Sequence, residues 1–353
     1  MRSFFHPPQS MRERLEELAG GAGLDEQPDR YGGGKLLEDF EAQIATLLGK
    51  EAAVFMPSGT MAQQIALRIH AERTQNSLVA LHPQSHLIVS EEDAYQRLSG
   101  LRGVPLGDSA RLFTLADLQA IKERAGTLLI ELPERNLGGP LRPWDDLVKL
   151  VHFARERGMR VHLDGARVWE SQPYYARPYA EMCAPFDTVY VSFYKILNGI
   201  AGAALAGPAD VIAQARVWQQ RHGGRLVQLY PYILSARMGL QRYLPRMQAY
   251  RDRAVQIASV LGEFQEMLVT PNPPDTNMMH VYVRGDAASL DAAMTQIASD
   301  TGLALFGGLS PSPVPGYHKF ERSIGEGAFE IADQEIRSLF TRLFVLAKED
   351  ARA

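Results

Sequence analysis

Short apolar runs alternate along this chain with longer stretches in which apolar residues recur every three or four positions. The short runs are typical of buried parallel strands, and the longer stretches are typical of helices with one buried face. This alternation predicts a mainly parallel sheet covered by helices. The predicted strands span residues 52–56, 127–132, 159–163, 188–192 and 203–206, and the predicted helices span residues 36–48, 61–72, 144–156 and 209–220.

The pattern changes after residue 245. There the sequence predicts, in order, a long helical stretch (247–267), a proline-rich break (270–274), a strand (279–283), a helix (288–299), a strand (303–306), a loop (310–316) and a final helix (333–347). A mixture of this kind is typical of a small α+β unit. With a short amphipathic helix at 11–19, the chain divides into a helix and arm (1–45), a large domain (46–245) and a small C-terminal α+β domain (246–353).

Composition narrows the class of protein. The 353 residues are 46% hydrophobic and 22% charged, which is ordinary for a soluble globular protein. A net charge of −4 gives no electrostatic reason to expect nucleic acid or an anionic membrane as partner. The only cysteine, Cys183, excludes an intrachain disulfide and a cysteine-based zinc cluster. Without an apolar run of about 20 residues or a signal-peptide core, a cytoplasmic location is the expectation.

Two ionisable residues each follow a predicted buried strand. Asp164 comes after the run 159–163, and Lys195 comes after the run 188–192. Open α/β sheets bind ligands at the carboxyl ends of their strands, so we expect these side chains to converge on one ligand. Pyridoxal phosphate (PLP) requires a lysine that forms a Schiff base with its aldehyde and a carboxylate that keeps its pyridine nitrogen protonated. The pair therefore predicts a PLP site.

A candidate phosphate loop lies upstream. Pro57-Ser58-Gly59-Thr60-Met61 stands between a predicted strand and a predicted helix. Glycine lets the backbone approach a ligand closely, and free N–H groups at the start of a helix favour phosphate. Ser58 and Thr60 can add hydroxyl hydrogen bonds. By itself Ser-Gly-Thr at this position is more often a helix N-cap, but upstream of the Asp164 and Lys195 pair it predicts a phosphate-binding loop.

These motifs together resemble the threonine aldolase and β-eliminating lyase family. The shared elements, in the family's order, are residues 57–61, Ser85-His86, the run His162-Leu163-Asp164-Gly165-Ala166-Arg167, and Lys195. The resemblance is close over residues 28–245 and loose beyond. It implies an α/β fold of the aspartate-aminotransferase-like type (fold type I), in which a large PLP-binding domain has a mainly parallel seven-stranded sheet and a small α+β domain follows.

The resemblance also implies roles for individual residues. Lys195 would carry the cofactor, Asp164 would contact the pyridine nitrogen and His86 would stack on the ring, with His82 a second candidate for that place. Ser58, Gly59 and Thr60 would hold the phosphate. Arg167 would reach the cofactor hydroxyl or the substrate carboxylate.

Three further residues are expected to border the substrate or the phosphate. Arg322 lies where the family has a carboxylate-binding arginine in its C-terminal domain. Arg225 is another arginine candidate, for the phosphate, and it could serve a neighbouring subunit. Tyr31 corresponds to a family segment that borders the active site. Because fold type I enzymes generally build their sites across a dimer interface, the resemblance implies a homodimer or a homotetramer.

One departure from the family pattern concerns the substrate. Glu134 stands where the family has a histidine that contacts the β-hydroxyl of the substrate. A carboxylate can accept that proton too. The resemblance thus implies a lyase that cleaves a β-hydroxy-α-amino acid of the threonine type to glycine and an aldehyde, with Lys195, His86, Asp164 and Glu134 as catalytic residues. A β-eliminating lyase that releases a keto acid and ammonia, and a PLP-binding homologue without catalysis, are the alternatives.

Overall fold

The structure, a computed structural model, describes residues 2–23 and 25–350. The chain forms two compact units: the larger comprises Arg12–Leu137 and Leu141–Pro245, and the smaller comprises Met1–Met11, Gly138–Pro140 and Arg246–Ala353. Thus the first residues group with the C-terminal part, and most of the segment expected as an arm groups with the large unit. The three-part domain organisation stays a prediction. No helix in the described part of the chain has the length and apolar character needed to cross a bilayer.

The larger unit is an α/β structure built on a seven-stranded sheet of order β1-β7-β6-β5-β4-β2-β3. Its elements, in chain order, are α1 (Met11–Gly21), α2 (Lys35–Leu48), β1 (Ala52–Met56), α3 (Gly59–Thr74), β2 (Leu78–Leu81), α4 (His86–Val89), α5 (Ala94–Ser99), β3 (Arg102–Pro105), α6 (Leu115–Ala120), β4 (Thr127–Glu131), α7 (Trp144–Glu156), β5 (Arg160–Gly165), α8 (Val168–Tyr175), α9 (Tyr179–Cys183), β6 (Thr188–Ser192), β7 (Ala203–Gly207), α10 (Ala209–Arg221) and α11 (Tyr230–Tyr243).

The strand directions decide where functional groups meet. Strands β2 to β6 run parallel, and β7 runs antiparallel to both β1 and β6. The carboxyl ends of β4, β5 and β6 therefore lie at one edge of the sheet. There the register places Glu131 opposite Asp164, and Asp164 opposite Tyr190. The mainly parallel sheet expected from the sequence is confirmed.

Helix α3 packs on the sheet through a fully buried apolar stripe. Its residues Ala62, Ile65 and Ile69 belong to a cluster that also contains Val54 and Leu205 from the strands. Apolar residues spaced by three and four positions share one helix face, which explains why this segment is helical and why it lies on the sheet. Burying each of the larger side chains stabilises the fold by about 1.5–3 kcal/mol.

The smaller unit is an α+β structure whose four-stranded sheet has the order β10-β11-β9-β8, with antiparallel neighbours throughout. Its core includes Val281, Ile297 and Phe340, all almost fully buried. Its elements, in chain order, are α12 (Met247–Leu261), β8 (Met267–Thr270), β9 (Met278–Arg284), α13 (Ala287–Thr301), β10 (Ser310–Pro311), β11 (Tyr317–Ser323) and α14 (Asp333–Asp350).

The structure corrects three predicted elements of this unit. The helix predicted for 247–267 ends at Leu261, and the chain continues into β8 after Gly262, whose N–H bonds the Ala258 carbonyl. Residues 303–306 form no regular strand; Leu303 makes only an isolated bridge. Their apolar character reflects burial in the core, which a short apolar run does not distinguish from strand pairing. The loop expected at 310–316 begins with the short strand β10.

Candidate active site

Asp164 and Lys195 lie at the same edge of the sheet, in an environment of low exposure. Asp164 is the fifth residue of β5 and is 2% exposed, and Lys195 follows β6 in a tight turn. Oδ1 of Asp164 accepts a hydrogen bond from the Ala166 N–H at 3.0 Å, and Oδ2 accepts one from Nε2 of Gln63. Burial raises the pKa of Asp164, whereas the Lys195 ammonium and the Ala166 N–H lower it. Asp164 and Lys195, which the sequence singles out together, thus lie near each other in the fold.

Lys195 is set up as a nucleophile at moderate pH. Burial, and next the charge of Arg167, lower the pKa of its amine to about 8, against the opposing effect of Asp164, Glu131 and Glu170. The nucleophilic form of a lysine is the neutral amine, so a depressed pKa makes that form available near neutrality. Arg167, half-buried just before α8, therefore acts on the lysine through its charge.

The candidate phosphate loop begins a long helix. Ser58 is the N-cap of the 16-residue helix α3, and its hydroxyl accepts from the Met61 N–H at 3.3 Å. Gly59 is required here because a Cβ would collide with the Tyr190 hydroxyl. Ser58 and Thr60 are exposed. Free N–H groups and hydroxyls at the start of a long helix fit a phosphate.

His86 is oriented by a buried carboxylate. Its Nδ1 lies 3.0 Å from Oε1 of Glu91, whose other oxygen accepts from Nε2 of Gln64 at 3.0 Å. An ionised carboxylate only accepts, so Nδ1 of His86 carries a proton and donates it to Glu91. The alternative candidate, His82, has both ring nitrogens occupied, at 2.8 Å from the Arg111 carbonyl and 3.0 Å from the Gln84 N–H. His82 is therefore a structural residue.

Glu134 lies in a cluster of buried carboxyl groups. It is 2% exposed, and Glu131 at the end of β4 is 7% exposed. Burial, the charges of Glu131 and Asp164, and a hydrogen bond with Glu131 raise the pKa of Glu134, while Arg142 opposes this. Burial and next the charge of Asp164 raise the pKa of Glu131 to about 7. Among the described residues, Oε1 of Glu134 and Oε2 of Glu131 have no hydrogen-bond partner.

Tyr31 and Arg225 meet, although they are far apart in the sequence. The Arg225 Nε donates to the Tyr31 carbonyl, and the Tyr31 N–H donates to the Val227 carbonyl at 3.0 Å. A Cβ at Gly224 would collide with the thioether of Met61, so the Arg225 segment passes beside the start of α3. Both side chains are exposed. The Arg225 segment thus lies near the phosphate loop, and the roles of Arg225 at the phosphate and of Tyr31 at the substrate stay predictions.

Arg322 belongs to the smaller unit, on β11. It is 9% exposed, and its guanidinium lies 4.1 Å from the ring centre of Phe4. Its Nη2 has no hydrogen-bond partner in the described part of the chain. Burial lowers the pKa of Arg322 to about 9. A buried guanidinium with a free donor is costly unless an anion completes it.

Sequence reasoning missed the residues that hold these groups in place. Gln63 and Gln64 stand side by side near the start of α3, and Glu91 follows the short helix α4. Two buried amides in a helix whose neighbours are apolar are a signal that the sequence did offer. In the sequence, Glu131 is one residue of the strand predicted for 127–132. Its role depends on register, which the sequence does not show.

A family model described as beta-eliminating lyase matches residues 3–286. The chain belongs to this family. A crystal structure from Listeria monocytogenes EGD-E, provisionally assigned as an L-allo-threonine aldolase, is 39% identical, with a TM-score of 0.93 over 99% of this chain and 96% of that chain. The aldolase vrtJ of Penicillium aethiopicum is 32% identical over 65% of this chain and 61% of its own length. The low specificity L-threonine aldolase of Escherichia coli O157:H7 is 28% identical over 74% of this chain and 78% of its own.

The expected family, fold type I and PLP dependence are confirmed, and the chain is a PLP-dependent lyase. The residues present fit the cofactor. Asp164 offers a buried carboxylate for the pyridine nitrogen, Lys195 an amine of lowered pKa, and α3 an exposed start that carries two hydroxyls. PLP would supply an electron sink for a carbanion.

The first prediction concerns Lys195. Because its amine has a pKa of about 8, the rate at which cofactor-free protein forms a covalent adduct with PLP should rise with pH and reach half its maximum near that value. The rate is measured by absorbance at a series of pH values. The control is Lys195→Ala, which should retain no covalent adduct after the same incubation followed by borohydride reduction. A midpoint near the pKa of an ordinary lysine, about 10.4, would contradict the assignment.

Proposed function

We propose that this protein is a carbon–carbon lyase that cleaves β-hydroxy-α-amino acids of the threonine type to glycine and an aldehyde. The observation that carries the proposal is the buried carboxyl pair Glu131 and Glu134, which stands at the same sheet edge as Asp164 and Lys195. Retro-aldol cleavage needs a base for the β-hydroxyl proton in addition to the electron sink. The relatives named as threonine aldolases support the same substrate class.

The carboxyl pair is suited to act as that base. Two buried carboxyls joined by a hydrogen bond share one proton, and they release protons in two steps that belong to the pair. With the pKa of Glu131 raised to about 7, the pair can take up a proton near neutral pH. A base works best when its pKa lies near the working pH. Glu134, whose Oε1 is unpaired, is the member we assign to the β-hydroxyl, with Nε2 of His86 as the second candidate.

The substrate carboxylate requires a cationic partner, and Arg322 is the residue we assign to it. Its buried guanidinium has an Nη2 without a hydrogen-bond partner among the residues that the structure describes, and burial lowers its pKa. Arg–carboxylate pairs are strong because two parallel hydrogen bonds can form. Arg167 assists at the cofactor hydroxyl or the substrate carboxylate, Arg225 borders the phosphate, and Tyr31 borders the substrate.

β-Elimination is the second candidate function. The amine of Lys195, whose pKa is about 8, can accept a proton from Cα of the substrate in addition to holding the cofactor. In that reaction the β-substituent leaves, and a keto acid and ammonia result. Homodimer or homotetramer assembly, a cytoplasmic location and the absence of nucleic-acid partners stay predictions.

The product assay decides between the two reactions. We expect L-threonine, L-allo-threonine or L-phenylserine to yield equimolar glycine and aldehyde, because the carboxyl pair removes the hydroxyl proton while Cα keeps its own. Aldehyde is measured by coupled reduction, and keto acid and ammonia are measured in parallel. Keto acid without aldehyde would replace the aldolase proposal by the elimination alternative.

Glu134→Gln tests the base. The amide cannot take up a proton, so kcat for retro-aldol cleavage should fall by about 100-fold or more. PLP content, measured by absorbance, should remain that of the wild type, because the proposal gives Glu134 no contact with the cofactor. Glu156→Gln, at the exposed end of α7, is the matched control. Unchanged turnover across the pH range would remove Glu134 from the reaction.

Arg322→Met separates a binding role from a structural one. Losing the partner of the substrate carboxylate should raise KM by about 10-fold or more. The melting temperature should hold or rise, because an uncompensated buried charge is removed. The matched variant is Arg253→Met in the same unit: Arg253 is equally buried but donates to the carbonyls of Ala328 and Ile331. Arg253→Met should lower the melting temperature; the same result for Arg322→Met, with KM unchanged, would make Arg322 structural.

A further inference from the structure

A line of buried polar side chains continues from Asp164 into the core, on the side of helix α3. Each of its members is at most 2% exposed. The line, called the donor chain below, consists of Gln63 and His70 on α3, His162 on β5 and Thr188 at the start of β6. His162 and Asp164 lie two positions apart on one face of β5, and the register places Thr188 opposite His162. Gln63 and His70 are seven positions apart and so share one helix face.

The contacts along the donor chain are continuous. Gln63 Nε2 donates to Oδ2 of Asp164, and Gln63 Oε1 lies 2.7 Å from Nε2 of His162. Nδ1 of His162 lies 2.7 Å from the Thr188 hydroxyl, which in turn lies 2.7 Å from Nε2 of His70. At the far end, Nδ1 of His70 has no hydrogen-bond partner within residues 2–23 and 25–350.

The donors and acceptors fix one direction for all of these bonds. An ionised Asp164 only accepts, so Gln63 presents its amide N–H groups to it and its oxygen to His162. Nε2 of His162 must then donate, which leaves Nδ1 to accept from the Thr188 hydroxyl. Burial lowers the pKa of His162 and of His70 to about 3, so each ring carries one proton. Nε2 of His70 therefore donates to Thr188, and every hydrogen bond in the chain points towards Asp164.

The charges around the donor chain do not by themselves secure an ionised Asp164. On the open side, the charges of Lys195 and His86 favour the ionised form of Asp164, whereas the charge of Glu91 opposes it. Asp164 in turn repels Glu131 and Glu134. On the far side, the charges of Arg160 at the start of β5 and Arg73 in the last turn of α3 act on His70 and favour its neutral form. Aligned neutral donors polarise one another and stabilise an anion at their end without adding a charge to the core.

We propose that Gln63, His162, Thr188 and His70 are positioning residues, and that their donor chain holds Asp164 as an oriented anion against the pyridine nitrogen of the cofactor. This inference deepens the proposed function and rests on it, because it requires Asp164 to face the pyridine nitrogen. If the chain is broken, the carboxylate becomes more basic. The proton between nitrogen and carboxylate then moves towards Asp164, and the ring becomes a weaker electron sink.

The test uses threonine variants of the full-length protein loaded with PLP labelled with ¹⁵N at the pyridine position. Thr188→Val keeps the volume and removes the hydroxyl, whereas Thr188→Ser keeps the hydroxyl. We expect the ¹⁵N resonance of Thr188→Val to move towards that of the unprotonated ring, and that of Thr188→Ser to stay with the wild type. For Thr188→Val, kcat should fall about 3- to 10-fold with KM unchanged, since one neutral hydrogen bond is lost.

Thr127→Val is the matched control. Thr127 is fully buried at the start of strand β4, and its hydroxyl has no hydrogen-bond partner among the residues described by the structure. The ¹⁵N resonance of the cofactor in Thr127→Val should match that in the wild type. If Thr188→Val proves too unstable to purify, His70→Leu breaks the chain one residue further from the site and should give a smaller shift of the same sign.

The outcomes separate this inference from the proposed function. A ¹⁵N resonance in Thr188→Val equal to the wild type, or a shift shared by Thr188→Ser or Thr127→Val, would overturn the donor chain, whatever the reaction products are. A shift confined to the variants that lack the donor would support it, even if the wild type released a keto acid instead of an aldehyde. In that case only the proposed reaction would fail.

Discussion

The burial of one carboxylate is the constraint on which the site depends. Asp164 is 2% exposed, and a charge in that position is unfavourable unless hydrogen bonds and nearby charges compensate it. Lys195 supplies an opposite charge, the Ala166 N–H supplies a backbone donor and Gln63 supplies an amide. The same low exposure lowers the pKa of Lys195. Burial thus makes the amine reactive near neutrality, whereas the carboxylate depends on the hydrogen bonds and the lysine charge that offset its burial.

Helix α3 connects the parts of this site. Its first turn offers the phosphate loop, its second turn holds Asp164 and Glu91 through adjacent glutamines, and its apolar stripe fixes it on the sheet. A ligand that contacts the start of α3 and the end of β5 is therefore held by a helix and a strand that pack firmly against each other. Rigid support of this kind lets binding and positioning act together, because small displacements of catalytic groups are costly to the rate.

Much of the site was predictable where the signal is local. Asp164, Lys195 and the start of α3 each follow a strand of distinct apolar pattern, and strand ends in a parallel sheet converge. What the sequence concealed depends on register and pairing. That Thr188 lies opposite His162, or that Glu131 joins Glu134, follows only from the strand alignment. In the smaller unit, most of residues 303–306 belong to the buried core. Their apolar pattern predicts a strand that the chain does not form, because burial without strand pairing gives the same pattern.

Among the described residues, several buried polar atoms without hydrogen-bond partners lie around the proposed site, on Glu131, Glu134 and Glu170. Core stability alone would favour apolar residues here, because an unsatisfied buried polar group is unfavourable by about 1–3 kcal/mol. Such a group in a native structure has a physical reason, and a ligand that completes it is one such reason. A substrate whose hydroxyl group pairs with these carboxyl oxygens would remove the cost. The unsatisfied oxygens therefore favour a substrate that carries a hydroxyl group.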